Sequence, residues 1–429
     1  MNTKLPTDPY KGTRDFYPED MAIQRYIFDT WAKTAESFGF ERYDASILEP
    51  SELYKSKGAE NEEMVNEQTY TFIDRGDREV TLRPEMTPTV ARMVAARRRE
   101  LNFPVRWYSI PSLYRYERPQ RGRLREHWQL NCDMFGVDDV AADVEMIALA
   151  YNVLKDFGAK DTDFEIRVND RALMETWYTK TLGLNAEQIR TVTRIVDRKN
   201  KVSAAEFKKL LSEVIPDPSK LTKSLNASNP DELVPDTNLT TIFVALKSLG
   251  ITNIVFDATI ARGFDYYTGM VFEVTDTSPE NNRSMMGGGR YDNLTTLFGG
   301  DPISGIGFGM GDVIMRDFLL THKLLPKNIH VTAPVLAILP MDASHNLKCE
   351  KIAQEFRAAG IRTSIDLSTK KIGKKISVAS DSGVQYIVAV GEDEIEKQIF
   401  TLKELKTKKE TSGSLMDFTS LILGNLNAV

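Results

Sequence analysis

The stretch RWYSIPSLYRYERPQRGRLREHWQLNCDMFG, residues 106–136, constrains the chain more than any other. Two strand-like runs flank a loop holding Arg118, Arg121, Arg123 and Arg125, which is too polar and too basic for a minimal hairpin turn. Side chains on a strand alternate between faces, so Arg115 and Glu117 share one face and Tyr114 and Tyr116 the other. On the return strand Gln129, Asn131 and Asp133 face one way, and Trp128, Leu130, Cys132 and Met134 the other. The polar side is either the solvated face of an ordinary antiparallel hairpin or a binding surface. The arginine density favours the second reading. Guanidinium forks grip phosphate oxygens in pairs, and beside a carboxylate (Glu117) and an amide (Gln129) they make a site for a polyanion with a hydrogen-bonding head, such as a nucleoside triphosphate.

A second cluster is ARGFDYYTGMVFE, residues 261–273. Tyr266 and Tyr267 read either as core packing or as phenols that contact a small polar ligand; Arg262 and Asp265 weaken the packing reading, because buried charge in an apolar strand needs a partner. In TLRPEMTPTVAR, Glu85 and Thr87 precede a helix, with Thr87 open to either an N-cap role or ligand contact. The glycines Gly287–Gly289 and Gly305–Gly311 fit no phosphate-loop signature and indicate close backbone packing.

Organisation follows from pattern. Ile23, Tyr26, Ile27, Trp31, Ala35 and Phe38 recur at helical spacing between Pro18 and Gly39. Residues 1–160 and 251–325 read as two parts of one catalytic core. Residues 161–250, with polar helical runs broken by PDPSK and NASNPDELVPD, read as a helical insertion. Residues 331–429 alternate strands and helices and are expected to form a small α/β domain with a largely parallel sheet. The balance of 55 basic to 61 acidic residues, net −6, means that any nucleic-acid contact must be local. The tail has 13 Lys+Arg and 12 Asp+Glu, so it is at +1 and the remainder at −7. Cys132 and Cys349 with four histidines leave no C-x-x-C or H-x-x-x-H pair, which argues against a disulfide framework and against zinc. With no signal-peptide core and no apolar run near the ~18 residues that span a bilayer, a cytoplasmic protein without a membrane partner is expected.

These stretches together resemble the histidyl-tRNA synthetases, a family of class II aminoacyl-tRNA synthetases. KGTRDFYPEDM is similar to the family's N-terminal signature, YRYERPQRGRLREHWQLNCDMFG to the second class motif, and RGFDYY to the family's RGLDYY with Phe264 in place of Leu. The tail is similar to its anticodon-binding domain. The resemblance implies an α+β fold, with an antiparallel-sheet core interrupted by a helical insertion and followed by an α/β anticodon-binding domain. It also implies that L-histidine is activated with ATP, accompanied by Mg²⁺, and passed to tRNA(His) by a homodimer. Carried over by motif, Arg115 and Arg262 are the catalytic cations. Arg115, Glu117 and Arg123 hold ATP. Glu85, Thr87, Arg115, Gln129, Asp133, Arg262, Tyr266 and Tyr267 bind histidine.

Two departures stand out. The family's third motif ends its glycine run in Glu-Arg, whose arginine clamps the γ-phosphate, whereas GFGMGDVIMRDF places Val313 and Ile314 there. Arg316 lies two residues on, about 200° round a helix, and is no direct replacement. Ser46 replaces the first motif's usual proline. A rival reading is a catalytically idle paralogue, the regulatory subunit of ATP phosphoribosyltransferase. The missing third-motif arginine favours it, while the full arginine loop, the Arg262/Tyr266/Tyr267 set and the C-terminal domain favour the enzyme.

Overall fold

A computed structural model describes residues 5–55, 68–199, 202–235, 237–260, 266–281, 283–326, 329 and 334–427. The chain divides into two compact units, Met1–Phe16 with Ile23–Lys327 and Tyr17–Ala22 with Asn328–Val429.

The first unit is built on a mostly antiparallel sheet. Its strands lie in the order Glu41–Arg42, Val105–Ser109, Glu126–Phe135, Gly305–Gly311, Ser284–Arg290, Met270–Asp276, Phe164–Asp170 and Ile254–Phe256. The outermost pair at each end is parallel. Along Gly305–Gly311 every second residue is glycine, and Ile306, Phe308 and Met310 alternate with them into the main apolar core. A strand side chain points to one face only, so one face of this strand is apolar and the other is bare. The bare face runs beside the polar face of Glu126–Phe135, with Gly307 opposite Asp133, Gly309 opposite Asn131 and Gly311 opposite Gln129. The space is already taken: a Cβ at Gly307 would come within 2.5 Å of an Asp133 carboxylate oxygen, and one at Gly309 within 2.4 Å of Gln129 Nε2.

The helix Pro18–Ser37 covers the apolar face. Ile27, Trp31 and Ala35 are fully buried, and Trp31 Nε1 points at the Met310 sulfur at 3.0 Å. Gly39, at φ +76°, ends it in the left-handed conformation that glycine adopts without strain. The buried Asp312 carboxylate ties three segments together, accepting from Arg14 at 2.7 Å, Gln24 at 2.9 Å and the Trp128 backbone N–H at 2.9 Å. Between the strands Phe164–Asp170 and Ile254–Phe256 the described elements are helical. Asp170, Asn185 and Ser203 cap three of these helices with their side chains. Trp177, Val192 and Phe207 from them join the same apolar cluster as the sheet. Cys132 and Cys349 are both free and buried.

The second unit carries a five-stranded sheet in the order Thr363–Ile365, Leu336–Pro340, Tyr386–Val390, Phe400–Glu404, Glu410–Gly413, packed with the helices Asn346–Ala358, Ile372–Asp381 and Leu415–Asn427. Its first two pairings are parallel and its last two antiparallel. The sheet is therefore mixed rather than largely parallel. The closing hairpin turns through Lys408 at φ +62°; Phe400 and Leu402 of its first strand are buried, while Glu410–Gly413 carries no apolar residue.

Two local expectations change. Thr87 is the first residue of the helix Thr87–Arg97, not its cap; the cap position is Met86, which has no side-chain capping bond. The strand Ser112–Tyr114 stops before Arg115, so Arg115 and Glu117 project from irregular chain rather than from one strand face. A single rung, Arg115 N–H to Arg125 C=O at 2.9 Å, continues the pairing.

Arg290, the last residue of the central strand Ser284–Arg290, ties that strand to neighbouring segments. Its guanidinium donates to Asp143 at 2.6 and 3.2 Å, to Ser304 Oγ at 2.7 Å and to the Val137 carbonyl at 2.9 Å. Removing one partner of a buried pair strands the other charge, so Arg290→Met is expected to cost about 3–5 kcal/mol in urea unfolding, with Asp143→Leu in the same chain recovering most of it. A loss below about 1 kcal/mol for Arg290→Met would show that the pair is solvated.

Candidate active site

A cavity of about 750 Å³ opens over the polar side of the hairpin, and Arg115, Glu117, Arg123 and Gln129 line it together with His127, Arg167, Glu273, Arg283 and Ile314. The loop above it is held from below. Arg125 stacks on Tyr116 with its guanidinium carbon 4.0 Å from the ring centroid, and its backbone N–H donates to Gly12 at 2.7 Å. Gly12 is at φ +87°, and a Cβ there would sit 2.8 Å from both Arg125 and Pro119, so the N-terminal segment can pass this close only as glycine.

Within the cavity the cations are partly engaged. Arg115 Nε donates to the Pro84 carbonyl at 2.8 Å, and Arg123 pairs with Glu117 at 3.1 Å. Arg167 is held by Glu165 at 2.8 Å and Asp257 at 3.3 Å. Burial, with Arg115 and Arg14 nearby, pushes the His127 imidazole down to about 3. It is therefore neutral near pH 7 and adds no charge to the wall.

Glu85, Thr87, Asp133, Tyr266 and Tyr267 do not line this cavity; they gather in a cluster beside it. Tyr266 donates to Glu85 Oε2 at 3.1 Å, and its ring lies 4.9 Å from that of Tyr267 and 5.8 Å from that of Tyr291. Burial and the Glu85 carboxylate push the Tyr266 phenol well above its ordinary range. Tyr291 donates a hydrogen bond to Asp133 Oδ1, while Asp133 Oδ2 is buried and has no hydrogen-bond partner among the described residues. Gln129 and Asp133, on one face of one strand, join the cavity to the cluster. Arg262, expected to be central, lies outside the described residues, as does Asp265.

Sequence reasoning missed Tyr291 and Arg283. Tyr291 follows the glycines Gly287–Gly289 and Arg290 with no signal beyond an aromatic after glycines. Only the strand pairing that brings it to Asp133 reveals it. Among the described residues no group of three or more His, Cys, Asp or Glu is placed to hold a metal, and no helix is long and apolar enough to cross a membrane.

The first unit is thus an antiparallel sheet with an arginine-lined cavity over a bare glycine strand, and a small α/β unit follows it in the chain. Residues 12–311 match the histidyl-tRNA synthetase family and residues 335–425 the anticodon binding domain. A histidine–tRNA ligase of Leptospira biflexa is 43% identical over 426 residues, covering 96% of this chain and 97% of that protein. One of Thermoplasma volcanium is 39% identical, covering 95% and 97%. The crystal structure of histidyl-tRNA synthetase from Nostoc sp. PCC 7120 shares the fold at a TM-score of 0.77 and 22% identity, covering 98% of this chain and 100% of that one. The chain belongs to the histidyl-tRNA synthetase family.

Asp133 generates a pH prediction. Burial drives its carboxyl up to about 7, and the Tyr291 hydrogen bond offsets only part of the rise. An unfolded aspartate titrates near ~3.9, so folding favours the protonated form. The stability this supplies is complete below about pH 4 and is lost as pH climbs through 7. In the unliganded protein the Asp133 carboxyl carbon should titrate by NMR with a midpoint near 7. A midpoint at the ordinary aspartate value would mean that water solvates the free oxygen.

Proposed function

We propose that the chain activates L-histidine with ATP to histidyl-adenylate and transfers the acyl group to the 3′ end of tRNA(His). The observation that carries this is the adjacency of two chemically distinct compartments. One is an arginine-lined cavity suited to polyphosphate; the other is a buried Glu85–Tyr266 and Asp133–Tyr291 cluster suited to a small ligand with several nitrogens.

The first step brings the carboxylate of histidine to the α-phosphorus of ATP, with pyrophosphate leaving. Two like charges at ~4 Å repel by roughly 1 kcal/mol in water and several-fold more in a dry site, so fixed cations must offset the approach. Arg115 takes the α-phosphate, with Arg262 bridging it to the histidine carboxylate. Glu117 accepts from the adenine amino group, and Arg123 reaches the outer phosphates. The Glu117–Arg123 pair separates to do this, each partner exchanging the other for a nucleotide group. No side-chain nucleophile is needed; positioning and charge stabilisation suffice. Mg²⁺ takes one or two carboxylates plus phosphate oxygens and water; Glu273 on the cavity wall would provide a carboxylate, and the ion would neutralise charge on the β- and γ-phosphates.

On the histidine side, Glu85, Thr87 and Gln129 suit the α-ammonium. The Asp133 carboxyl and the Tyr266 and Tyr267 phenols suit the two imidazole nitrogens. A site that hydrogen-bonds both nitrogens discriminates strongly against apolar analogues, whose binding would leave its buried polar groups unpaired. We take residues 1–160 and 251–325 as the catalytic core, to which the strand Phe164–Asp170 also belongs because it pairs with Met270–Asp276 in the central sheet, the helices that follow it up to about residue 250 as the insertion, and 331–429 as the tRNA-anticodon domain of a cytoplasmic homodimer. The match to an anticodon binding domain over residues 335–425 supports this over the regulatory subunit of ATP phosphoribosyltransferase.

ATP–pyrophosphate exchange across a panel of amino acids tests the reading. Exchange should require histidine; histidine binding without exchange would return the regulatory reading. Arg262→Ala should lower exchange by about a hundred-fold or more, as loss of a transition-state charge contact does, with tRNA retention on filters unchanged. Near wild-type exchange would remove Arg262 from the mechanism.

A further inference from the structure

The third-motif positions are apolar in the fold as they are in sequence. Val313 and Ile314 open the helix Asp312–Thr321 and line the cavity, whereas Arg316, two residues further along, does not. Asp312, immediately before them, is committed to Arg14, Gln24 and the Trp128 N–H. This wall of the cavity thus offers no cation from the helix. A phosphate that reached this wall would meet the apolar side chains of Val313 and Ile314.

A cation does reach that wall from another element. Arg283, at the entry to the strand Ser284–Arg290, lines the same cavity. The loop-tip glycine Gly122 fixes its position relative to the helix: a methyl built there would touch Ile314 Cδ1 at 3.7 Å and Arg283 Cδ at 3.9 Å. The stem of Arg283 and the side chain of Ile314 therefore flank one point of the arginine loop, between Gln120 and Arg123.

The engagement of Arg283 also differs from that of its neighbours. Arg123 faces Glu117, Arg121 faces Asp317 at 3.7 Å, and Arg167 faces Glu165 and Asp257. Arg283 donates to the neutral Gln120 amide oxygen at 3.1 Å, and no carboxylate pairs with it among the described residues. An unneutralised guanidinium beside a phosphate site gains more from an anion than one already paired.

We propose that Arg283 binds the outermost phosphate of ATP, supplying from the strand Ser284–Arg290 the cation that the third-motif helix lacks here. This rests on the cavity being the ATP site. Arg283 exchanges its Gln120 contact for the phosphate, so the tip of the arginine loop is released as the nucleotide seats. Pyrophosphate leaves from the same guanidinium.

The test is ATP–pyrophosphate exchange with separate KM values, alongside equilibrium binding of ATP, ADP and AMP to the full chain. Arg283→Ala, and Arg283→Gln as the variant that keeps the stem and a donor, should raise KM for ATP and for pyrophosphate about ten- to hundred-fold, the span of one charge-assisted hydrogen bond. AMP affinity and KM for histidine should stay within about twofold, since those contacts are untouched. Ile314→Arg added to Arg283→Ala should restore part of the ATP affinity. Three results would overturn the assignment: an unchanged KM for ATP in both variants, an equal fall for ATP, ADP and AMP marking mere support of the loop, or no restoration by Ile314→Arg. Arg115→Ala serves as the reference. If it too leaves ATP binding unchanged, the cavity is not the nucleotide site; if it alone weakens binding, only the role of Arg283 falls.

Discussion

Everything chemical in the first unit rests on a steric allowance between two neighbouring strands. Gly307 and Gly309 have no Cβ, and the atoms that fill that space are the Asp133 carboxylate and the Gln129 amide. Any other residue at either position would drive a side chain into these groups or push the strands apart, and a packed sheet absorbs neither cheaply. The same strand turns Ile306, Phe308 and Met310 into the core under the helix Pro18–Ser37. One seven-residue segment thus pins the apolar core with one face and clears the site with the other. The site's shape is as stiff as the sheet.

Charge is organised with similar economy. The chain is net negative, yet the cavity wall collects Arg115, Arg123, Arg167 and Arg283. Two of these, Arg123 and Arg167, are balanced by carboxylates, which reduces repulsion within the cluster. The neighbouring cluster is acidic and phenolic, with the tyrosines providing hydrogen bonds without further charge. A cationic and an acidic compartment side by side match a reaction that joins a polyanion to a zwitterion.

Much of this was legible in residues 106–136, because alternation on the return strand separates Gln129, Asn131 and Asp133 from Leu130, Cys132 and Met134, and the fold keeps that division. The first helix was legible for the same reason: Ile27, Trp31 and Ala35 repeat at helical spacing, and burial follows. What was not legible depended on long-range pairing. Tyr291 meets Asp133 across 158 residues of chain, and Asp312 holds Arg14 across 298. No local pattern encodes either. The hairpin Phe400–Glu404 with Glu410–Gly413 stayed hidden because only Phe400 and Leu402 alternate inward in its first strand and its second has no apolar residue to read.

The two cysteines carry a practical consequence. Cys132 lies in the central sheet one residue before Asp133, fully buried, and burial pushes its thiol well above the ordinary range; Cys349 is equally buried, and its thiol is raised to about 11. Neither offers a thiolate to an oxidant or an alkylating reagent while the fold is closed. The native chain is in effect blank to maleimide dyes. A single cysteine placed on the arginine loop would then be the one site that takes a label, so the movement of that loop can be followed without first stripping the protein of its own sulfur.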